Sequence, residues 1–286
     1  MITVTAATGQ LGRRVVTALL DRGVPASGIV AAVRDPAKAA DLAARGVTVR
    51  HADYDRPETL PAAFAGTHRL LLISSNQIGR RVLQHRAVVE AARQIGVELL
   101  AYTSLLHADT SGMVLAEEHR ATEELIRASG LPYVFLRNSW YLENYTATLA
   151  PVLRHGVILG AAGEGRVSAA SRADFAAAAA AVLTGDGHAH TTYELGGDSA
   201  FTMAELAAEV SRQSGTTVVY RDLSVDEYRA ALVAGGLSEA EATLLADSDA
   251  GVARGELATD SGHLRALIGR PTTTLAQAVA SGLATA

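Results

Sequence analysis

Short apolar segments alternate with longer segments of helical periodicity along the first 150 residues. Of all the features of the sequence, this alternation most strongly limits the folds that the chain can adopt. Strands are predicted at about 2–5, 29–33, 47–50, 69–73, 98–103 and 133–136. Helices are predicted between them, at about 10–22, 36–45, 58–65, 80–95 and 114–129. Because such alternation builds parallel strands with right-handed crossovers, it predicts an α/β fold with a Rossmann-type doubly wound parallel sheet.

The pattern changes after about residue 150, where shorter strands and helices are mixed. Strands are predicted at 157–160, 192–195 and 217–220, and helices at 172–184, 202–213 and 225–234. We therefore expect a Rossmann domain at residues 1–150, to which later segments can return, and a smaller C-terminal α/β lobe at 151–286. This lobe is expected to close a pocket over the carboxyl ends of the strands.

Composition excludes several classes of protein. The 286 residues carry a formal net charge of −5, which gives no basic surface for a nucleic-acid partner. With no cysteine and no His-Glu-x-x-His pair, the sequence offers no disulfide, no catalytic thiolate and no evident metal site. No apolar run approaches the roughly 18 residues of a membrane span. We expect a soluble, cytoplasmic protein that neither spans a membrane nor binds a metal ion.

The first predicted strand leads into a glycine-rich turn and then a helix, which is where a dinucleotide pyrophosphate binds. In the run from Ala6 to Gly12, Ala6 stands at the first glycine of the G-x-x-G-x-x-G pattern. Alanine is tolerable there if φ is negative and no phosphate oxygen needs the space of the Cβ. Otherwise, cofactor binding is expected to be weaker.

Arg34 ends the second predicted strand, at the position that distinguishes the two nicotinamide cofactors. An acidic residue there hydrogen-bonds a free ribose 2′-hydroxyl, whereas an arginine pairs with a 2′-phosphate. Lys38, the only lysine of the chain, follows four residues later. Unless both are ordinary surface cations, these residues predict NADP(H) as the cofactor.

Small polar residues follow the next strands, at the edge where a cofactor would lie. They are Ser74, Ser75 and Asn76 after the fourth strand, Thr103 and Ser104 in the fifth, and Asn138 and Ser139 at the end of the sixth. Asp53 either contacts the adenine or caps its own loop. The sole tryptophan, Trp140, and Tyr141 form either part of the pocket or part of the core.

A Tyr-x-x-x-Lys pair is impossible because Arg34 stands four residues before the only lysine. His119 occupies the helix that would usually present that tyrosine, with Glu123 one turn later. We expect His119 to be structural, with a role as catalytic acid as the alternative. The reaction should therefore not depend on a strongly positioned proton donor.

Five segments together resemble the NmrA-like family of atypical short-chain dehydrogenases/reductases, and within it the bacterial type 2 NAD(P)H:quinone oxidoreductases. The segments are 7–12, 30–38, 71–75, 101–109 and 136–141, and the likeness extends over nearly the whole chain. The resemblance implies an NADPH-binding Rossmann domain, a small substrate-pocket lobe and reduction of a quinone without flavin. The implied cofactor contacts are Ala6, Ala7, Thr8, Gly9, Gln10, Leu11, Arg34, Ser74, Ser75, Asn76, Asn138, Ser139, Trp140, Tyr141, Leu142 and Glu143. Ser139 departs from a position where glycine is usual in the family.

We expect hydride transfer from NADPH to a quinone held against Trp140, Tyr141 and Asn144. Asn138, Tyr141 or a backbone amide is expected to hydrogen-bond the oxygen that gains negative charge. Two alternatives stay open: a reductase of dyes or other conjugated acceptors, and a redox-sensing regulator that binds NADP(H) without turnover. Whether the chain forms a homodimer is also open.

Overall fold

The computed structural model describes residues 1–285. Its first half alternates strands and helices as predicted. The elements are β1 (Ile2–Thr5), α1 (Gln10–Asp21), β2 (Ile29–Val33), α2 (Ala40–Ala44), β3 (Thr48–His51), α3 (Leu60–Phe64), β4 (Arg69–Leu72), α4 (Arg81–Ile95), β5 (Leu99–Leu105), α5 (Val114–Ala128) and β6 (Tyr133–Asn138). The predicted α/β class with a doubly wound parallel sheet is confirmed.

The second half supplies one more strand to this sheet and builds the smaller lobe. Its elements are α6 (Leu142–Thr146), α7 (Leu149–His155), β7 (Val157–Gly160), α8 (Arg172–Thr184), β8 (Thr191–Leu195), α9 (Met203–Ser214), β9 (Val219–Asp222), α10 (Val225–Ala234), α11 (Glu239–Ala253), α12 (His263–Ile268) and α13 (Leu275–Leu283). The main sheet has the order β3-β2-β1-β4-β5-β6-β8, and every pair in it is parallel. Strands β7 and β9 pair separately in the lobe.

Three hydrophobic clusters hold these layers together. One lies on the sheet face covered by α1 and α8, a second on the opposite face beneath α3 and α4, and a third fills the lobe. Helix α8 is largely alanine because it packs closely beside α1 on the sheet. The strand β8 and helix α8 therefore belong to the main sheet layers although they follow residue 150. A domain boundary at that residue stays a prediction.

Two of the predicted helices begin with a 3₁₀ turn that starts at a proline. The predicted helix 36–45 begins as a 3₁₀ turn at Pro36–Ala39 and continues as α2, while Pro57–Thr59 forms a similar turn before α3. Proline lacks the N–H that would enter the helical ladder, so it sits at the start of each turn. The structure also places α6 and α7 in a region where no helix was predicted. Within residues 1–285, no helix is both long and apolar enough to cross a membrane.

The turn between β1 and α1 is strained at Ala6. Its φ of +47° lies in the left-handed region, so the negative φ under which alanine would be tolerable at this position is not found. The carbonyl of Ala6 accepts the N–H of Gly9 at 2.9 Å, which closes the turn. A Cβ on Gly12 would lie 2.4 Å from the same carbonyl oxygen, so only glycine lets α1 pack this close to β1.

Ala6→Gly should raise the free energy of unfolding by roughly 0.5–1 kcal/mol. The left-handed conformation costs a non-glycine residue about 1–2 kcal/mol, and the extra freedom of glycine in the unfolded chain offsets about 0.4–1 kcal/mol of that. Urea denaturation measures the difference. The matched control is Ala7→Gly, which removes a fully buried methyl group where φ is not positive and should destabilise the protein. Equal losses in both variants would contradict strain at Ala6.

Candidate functional site

The carboxyl ends of the parallel strands open into two adjoining cavities that meet at Ser75. The outer cavity, about 540 Å³, lies over the ends of β1, β2 and β3. The central cavity, about 260 Å³, lies over the ends of β4, β5 and β6. Strand order reverses between β1 and β4, and ligands of doubly wound sheets bind at such a switch point. The two cavities together form the candidate site.

Three cations line the outer cavity, together with the glycine turn. Arg34 and Lys38 are exposed, and within residues 1–285 neither forms an ion pair. The carboxylate of Asp35 accepts the N–H of Ala37 at 3.1 Å and caps the following 3₁₀ turn. The carboxylate of Asp35 is therefore occupied by this cap. Arg34 and Lys38 remain available to bind an anion.

Arg13 is the third cation, and sequence reasoning missed it. It lies in the first turn of α1, donates from Nε to the carbonyl oxygen of Thr8 at 3.2 Å, and pairs with the carboxylate of Asp41. It also donates to the carbonyl oxygen of Lys38. Arg13 therefore joins the glycine turn to the segment that carries Lys38. An arginine directly after the last glycine of the turn was the available sequence clue.

The far wall of the outer cavity consists of Asp53, Tyr54, Asp55, Gln77 and Gln84. Asp53 accepts the N–H of Asp55 at 3.1 Å, which is the loop-capping role considered for it. The Tyr54 hydroxyl donates to the hydroxyl oxygen of Thr5 at 2.6 Å and fixes the ring beside β1. This wall presents a phenol ring, two amide groups and two carboxylates to the cavity.

The ends of β4 and β5 are fixed to each other around the central cavity. The N–H of Ser74 donates to the hydroxyl oxygen of Thr103 at 2.9 Å. The N–H of Ser75 donates to Nε2 of His85 at 3.0 Å, so this nitrogen carries no proton. Burial and the nearby Arg81 lower the pKa of His85 to about 3, in agreement with a neutral ring. Nε of Arg81, which also lines the central cavity, donates to the carbonyl oxygen of Ser75 at 2.6 Å, so a neutral ring and a guanidinium together hold this strand end.

Asn138 and Tyr141 both line the central cavity. Oδ1 of Asn138 is buried, and no other group within residues 1–285 hydrogen-bonds it. Tyr141 stacks below the guanidinium of Arg172, 4.3 Å from the ring centroid, and meets Phe175 edge-on at 5.5 Å. Burial raises the pKa of Tyr141, partly offset by Asn138, so its hydroxyl stays protonated and able to donate.

His119 also lines the central cavity but is not suited to be an acid. It is buried, and its Nδ1 lies 2.8 Å from the hydroxyl of Tyr102. Burial and the positive charge of Arg81 hold the pKa of His119 well below its ordinary value. The imidazole is therefore neutral at physiological pH.

A buried ion network supports the cavity floor. Arg137 donates two hydrogen bonds to the carboxylate of Glu123, at 2.9 and 2.7 Å, and a third to Glu194 at 2.8 Å. The hydroxyl of Ser104 donates to the same Glu123 carboxylate at 2.6 Å. Paired charges and bidentate geometry make burial of these groups tolerable. Glu123 therefore fixes the side chain of Ser104. It does so from the position at which a short-chain dehydrogenase would carry its lysine.

The structure brings most of the predicted site residues together. The outer cavity includes Ala6, Thr8, Gly9, Arg34, Lys38 and Ser75, and the central cavity includes Leu11, Ser74, Ser75, Asn76, Asn138, Ser139, Trp140, Tyr141 and Asn144. Gln10 and Glu143 line a separate surface cavity, where Glu143 accepts the N–H of Arg172 at 3.0 Å. The side chains of Ala7 and Leu142 are buried in the hydrophobic clusters instead.

A third cavity, the lobe cavity, occupies about 250 Å³ between α6, α7, α9, α10 and α11. It shares Trp140 and Asn144 with the central cavity. Asp249 is its one carboxylate lining residue, and the N–H of Ala161 donates to it at 2.9 Å. Burial raises the pKa of Asp249 to about 6, and the charge of Asp222 adds to the rise.

A model of the NAD(P)H-binding family matches residues 6–186. Quinone oxidoreductase 2 of Escherichia coli (strain K12) is 53% identical over 279 residues, which cover 98% of this chain and 97% of that protein. The chain therefore belongs to the NAD(P)H-binding family, and the predicted membership among NmrA-like proteins is confirmed.

Solved structures also match this chain over nearly its whole length, and two of them hold a nicotinamide cofactor. The structure of an E. coli NADPH-dependent quinone oxidoreductase complexed with NADPH superposes with a TM-score of 0.96, at 53% identity, over 98% of this chain and 99% of the other. The triphenylmethane reductase of Citrobacter sp. complexed with NADP(H) has a TM-score of 0.94 at 41% identity, over 99% and 100% of the two chains.

Asp249→Asn should stabilise the protein more at pH 7 than at pH 4. A carboxyl whose pKa rises on folding is protonated in the native state but ionised in the unfolded state between about pH 4 and 6. Stability contributed by the acid form is therefore lost as pH rises through that window. We expect a difference of about 1–2 kcal/mol between the two pH values, because each unit of pKa shift corresponds to about 1.4 kcal/mol before solvent screening.

Urea denaturation at both pH values tests this. Asparagine retains an oxygen to accept the N–H of Ala161, and the same substitution at the exposed Asp260 controls for the loss of a carboxylate. An effect of Asp249→Asn that is independent of pH would show that this carboxyl does not titrate in the window.

Proposed function

We propose that this protein catalyses the NADPH-dependent two-electron reduction of quinones by direct hydride transfer, without a flavin. The observation that carries the proposal is the full-length likeness, at 53% identity, to the E. coli NADPH-dependent quinone oxidoreductase. The two cavities of this chain support it, because one suits a phosphorylated nucleotide and the adjoining one suits a flat ring.

The residues of the outer cavity fit NADPH. Arg34 and Lys38 provide two available cations for a 2′-phosphate, and Arg13 holds the segment that carries Lys38. The N-terminus of α1, brought close by Gly12, supplies N–H groups and a positive dipole end for the pyrophosphate. In the central cavity, the buried Oδ1 of Asn138 lacks a donor, and a nicotinamide carboxamide carries one.

Bound NADPH would supply the hydride, which delivers both electrons and one proton equivalent to the quinone; water supplies the second proton. The residues of this chain hold two flat rings face to face and exclude solvent between them. Ser74 and Thr103 fix the strand ends below the cavity, while Trp140 and Tyr141 provide the aromatic wall. Approximation and orientation then supply most of the catalysis.

The protonated Tyr141 hydroxyl and the Asn138 amide are the groups proposed to hydrogen-bond the quinone oxygen as it gains charge. Quinone reduction produces a phenolate that its aromatic ring stabilises, and water can protonate so weak a base. The neutral His119 is consistent with a reaction that needs no protein acid.

A second candidate function is the reduction of cationic dyes. The Citrobacter triphenylmethane reductase is 41% identical over 99% of this chain, and the carboxyl of Asp249 lies in the cavity next to the central one. Steady-state oxidation of NADPH with a panel of quinones and of triphenylmethane dyes compares the two. A higher kcat/KM for quinones supports the proposal, whereas turnover of dyes alone contradicts it. Binding of NADPH without any turnover would instead indicate a redox-sensing regulator.

Arg34→Ala should weaken the binding of NADPH by about 10- to 100-fold and leave that of NADH nearly unchanged. A charge-assisted hydrogen bond to a phosphate contributes about 1.5–3 kcal/mol. NADH has no 2′-phosphate, so its binding does not include this hydrogen bond. Titration calorimetry with both cofactors measures the change. The control is Arg14→Ala, an exposed arginine on α1 outside both cavities. Equal losses for the two cofactors would reject the assignment of Arg34.

His119→Gln should keep kcat for quinone reduction within about tenfold of the original value. Loss of a true general acid typically costs about 10²- to 10⁴-fold, and glutamine can still hydrogen-bond the hydroxyl of Tyr102. Stopped-flow measurement of the hydride step, with NADPH affinity as the control, tests the expectation. A fall into the larger range in a folded, NADPH-binding variant would make His119 the proton donor.

A further inference from the structure

The lobe cavity adjoins the central cavity on the side of the smaller lobe. Trp140 and Asn144 belong to the lining of both, so a substituent on a ring in the central cavity that passes these residues enters the lobe cavity. Trp140 also packs against the hydrophobic cluster of the lobe. The two cavities therefore lie next to each other, with Trp140 and Asn144 at the place where they adjoin.

Apart from Asn144, Thr148 and Asp249, the lobe cavity is lined by aliphatic and aromatic side chains. Cavities of this kind hold water poorly, because it finds few hydrogen-bond partners there. Hydrocarbon that enters such a space leaves water, which is favourable by about 0.8 kcal/mol for each methylene. The chemistry of the lining thus favours an apolar occupant.

Helix α10 forms the outer wall of this cavity without being packed into the core. None of its residues is fully buried, although Tyr228 and Leu232 face the cavity. Its N-terminus is secured locally, because Ser224 and Glu227 form a capping box there. An apolar group in the cavity would bury the inner face of α10, which the chain itself leaves only partly covered.

We propose that the lobe cavity is the subsite for an uncharged alkyl or prenyl side chain on the quinone ring. The inference rests on the proposed function, and it narrows the substrate class to quinones that carry a short apolar tail. The ring lies in the central cavity, and the tail passes Trp140 and Asn144 to lie against Tyr228 and Leu232.

The charge of the lobe cavity disfavours anionic tails. Among the described residues that line the cavity, none is basic, and Asp249 places a carboxyl in the wall with Asp222 close behind it. An anionic substituent would meet this carboxyl without a compensating cation, which is unfavourable in a space of low polarity. Sulfonated or carboxylated quinones should therefore be poor substrates.

Steady-state kinetics with NADPH and a series of 2-alkyl-1,4-benzoquinones, from methyl to hexyl, tests the proposal. We expect kcat/KM to rise about fourfold for each added methylene and then to level off when the cavity is full. Binding gives a second readout that needs no turnover. Because Trp140 is the only tryptophan, its fluorescence during titration with the matching alkylhydroquinones should report affinities that rise in the same order.

Two variants fill the cavity from opposite sides. Leu232→Trp extends inward from α10 and Val152→Phe from α7, and each should flatten the ratio of kcat/KM between the hexyl and methyl quinones. Val225→Trp places the same large ring on α10 at an exposed position outside the lining, and it should keep the original ratio. If Leu232→Trp fails to fold, Val152→Phe still decides the question.

The possible results separate the two proposals. Turnover of benzoquinone that does not depend on alkyl length overturns the subsite and leaves quinone reduction standing. A rise with chain length that persists in both filled variants also overturns it, because the tail must then lie elsewhere. If no quinone oxidises NADPH, the proposed function fails, and the subsite for a quinone tail fails with it.

Discussion

The whole site depends on the parallel pairing of β1 with β2 on one side and with β4 on the other. The connections leave β1 and β4 in opposite directions, so a crevice opens above their carboxyl ends, between the helices of the two halves. The glycine turn lies on one side of this crevice and the end of β4 on the other. Gly12 keeps α1 close enough to β1 for the crevice to stay narrow, and the left-handed Ala6 closes the turn at a cost in stability.

Charge is distributed unevenly along this crevice. The outer cavity has two cations that pair with no other residue within 1–285, Arg34 and Lys38, while Arg13 is held by local contacts and acts to position the segment around them. Among the buried charged groups around the central cavity, Arg81 in its lining pairs with Glu118 at 3.4 Å. Arg137 and Glu123 neutralise one another, and burial keeps His85 and His119 neutral. One end of the crevice therefore suits a phosphate, and the other suits uncharged rings that exchange a hydride.

Selectivity for the acceptor is what we propose that the lobe adds to this arrangement. Its cavity begins behind Trp140 and Asn144 and is closed on the outside by α10, a helix secured by its own capping box rather than by burial. Doubly wound folds keep the sheet and vary the segments above the carboxyl ends of the strands. In this chain, the segments after residue 150 complete the sheet through β8. They also build the outer wall of the lobe cavity, which would distinguish one acceptor from another.

The sequence by itself determined the sheet, the glycine turn and the cation that ends β2, because these depend on local periodicity and on short spacings along the chain. It also indicated most of the residues lining the two cavities, since parallel strands end at one edge. Only the tertiary structure decided that Ala6 has a positive φ, that Arg13 reaches Lys38, that Glu123 holds Ser104, and that Leu142 points into the core. The lobe cavity likewise appeared only in three dimensions. Its walls come from five helices and strand β7, spread over more than 100 residues of sequence, and their contacts depend on long-range packing that no local pattern records.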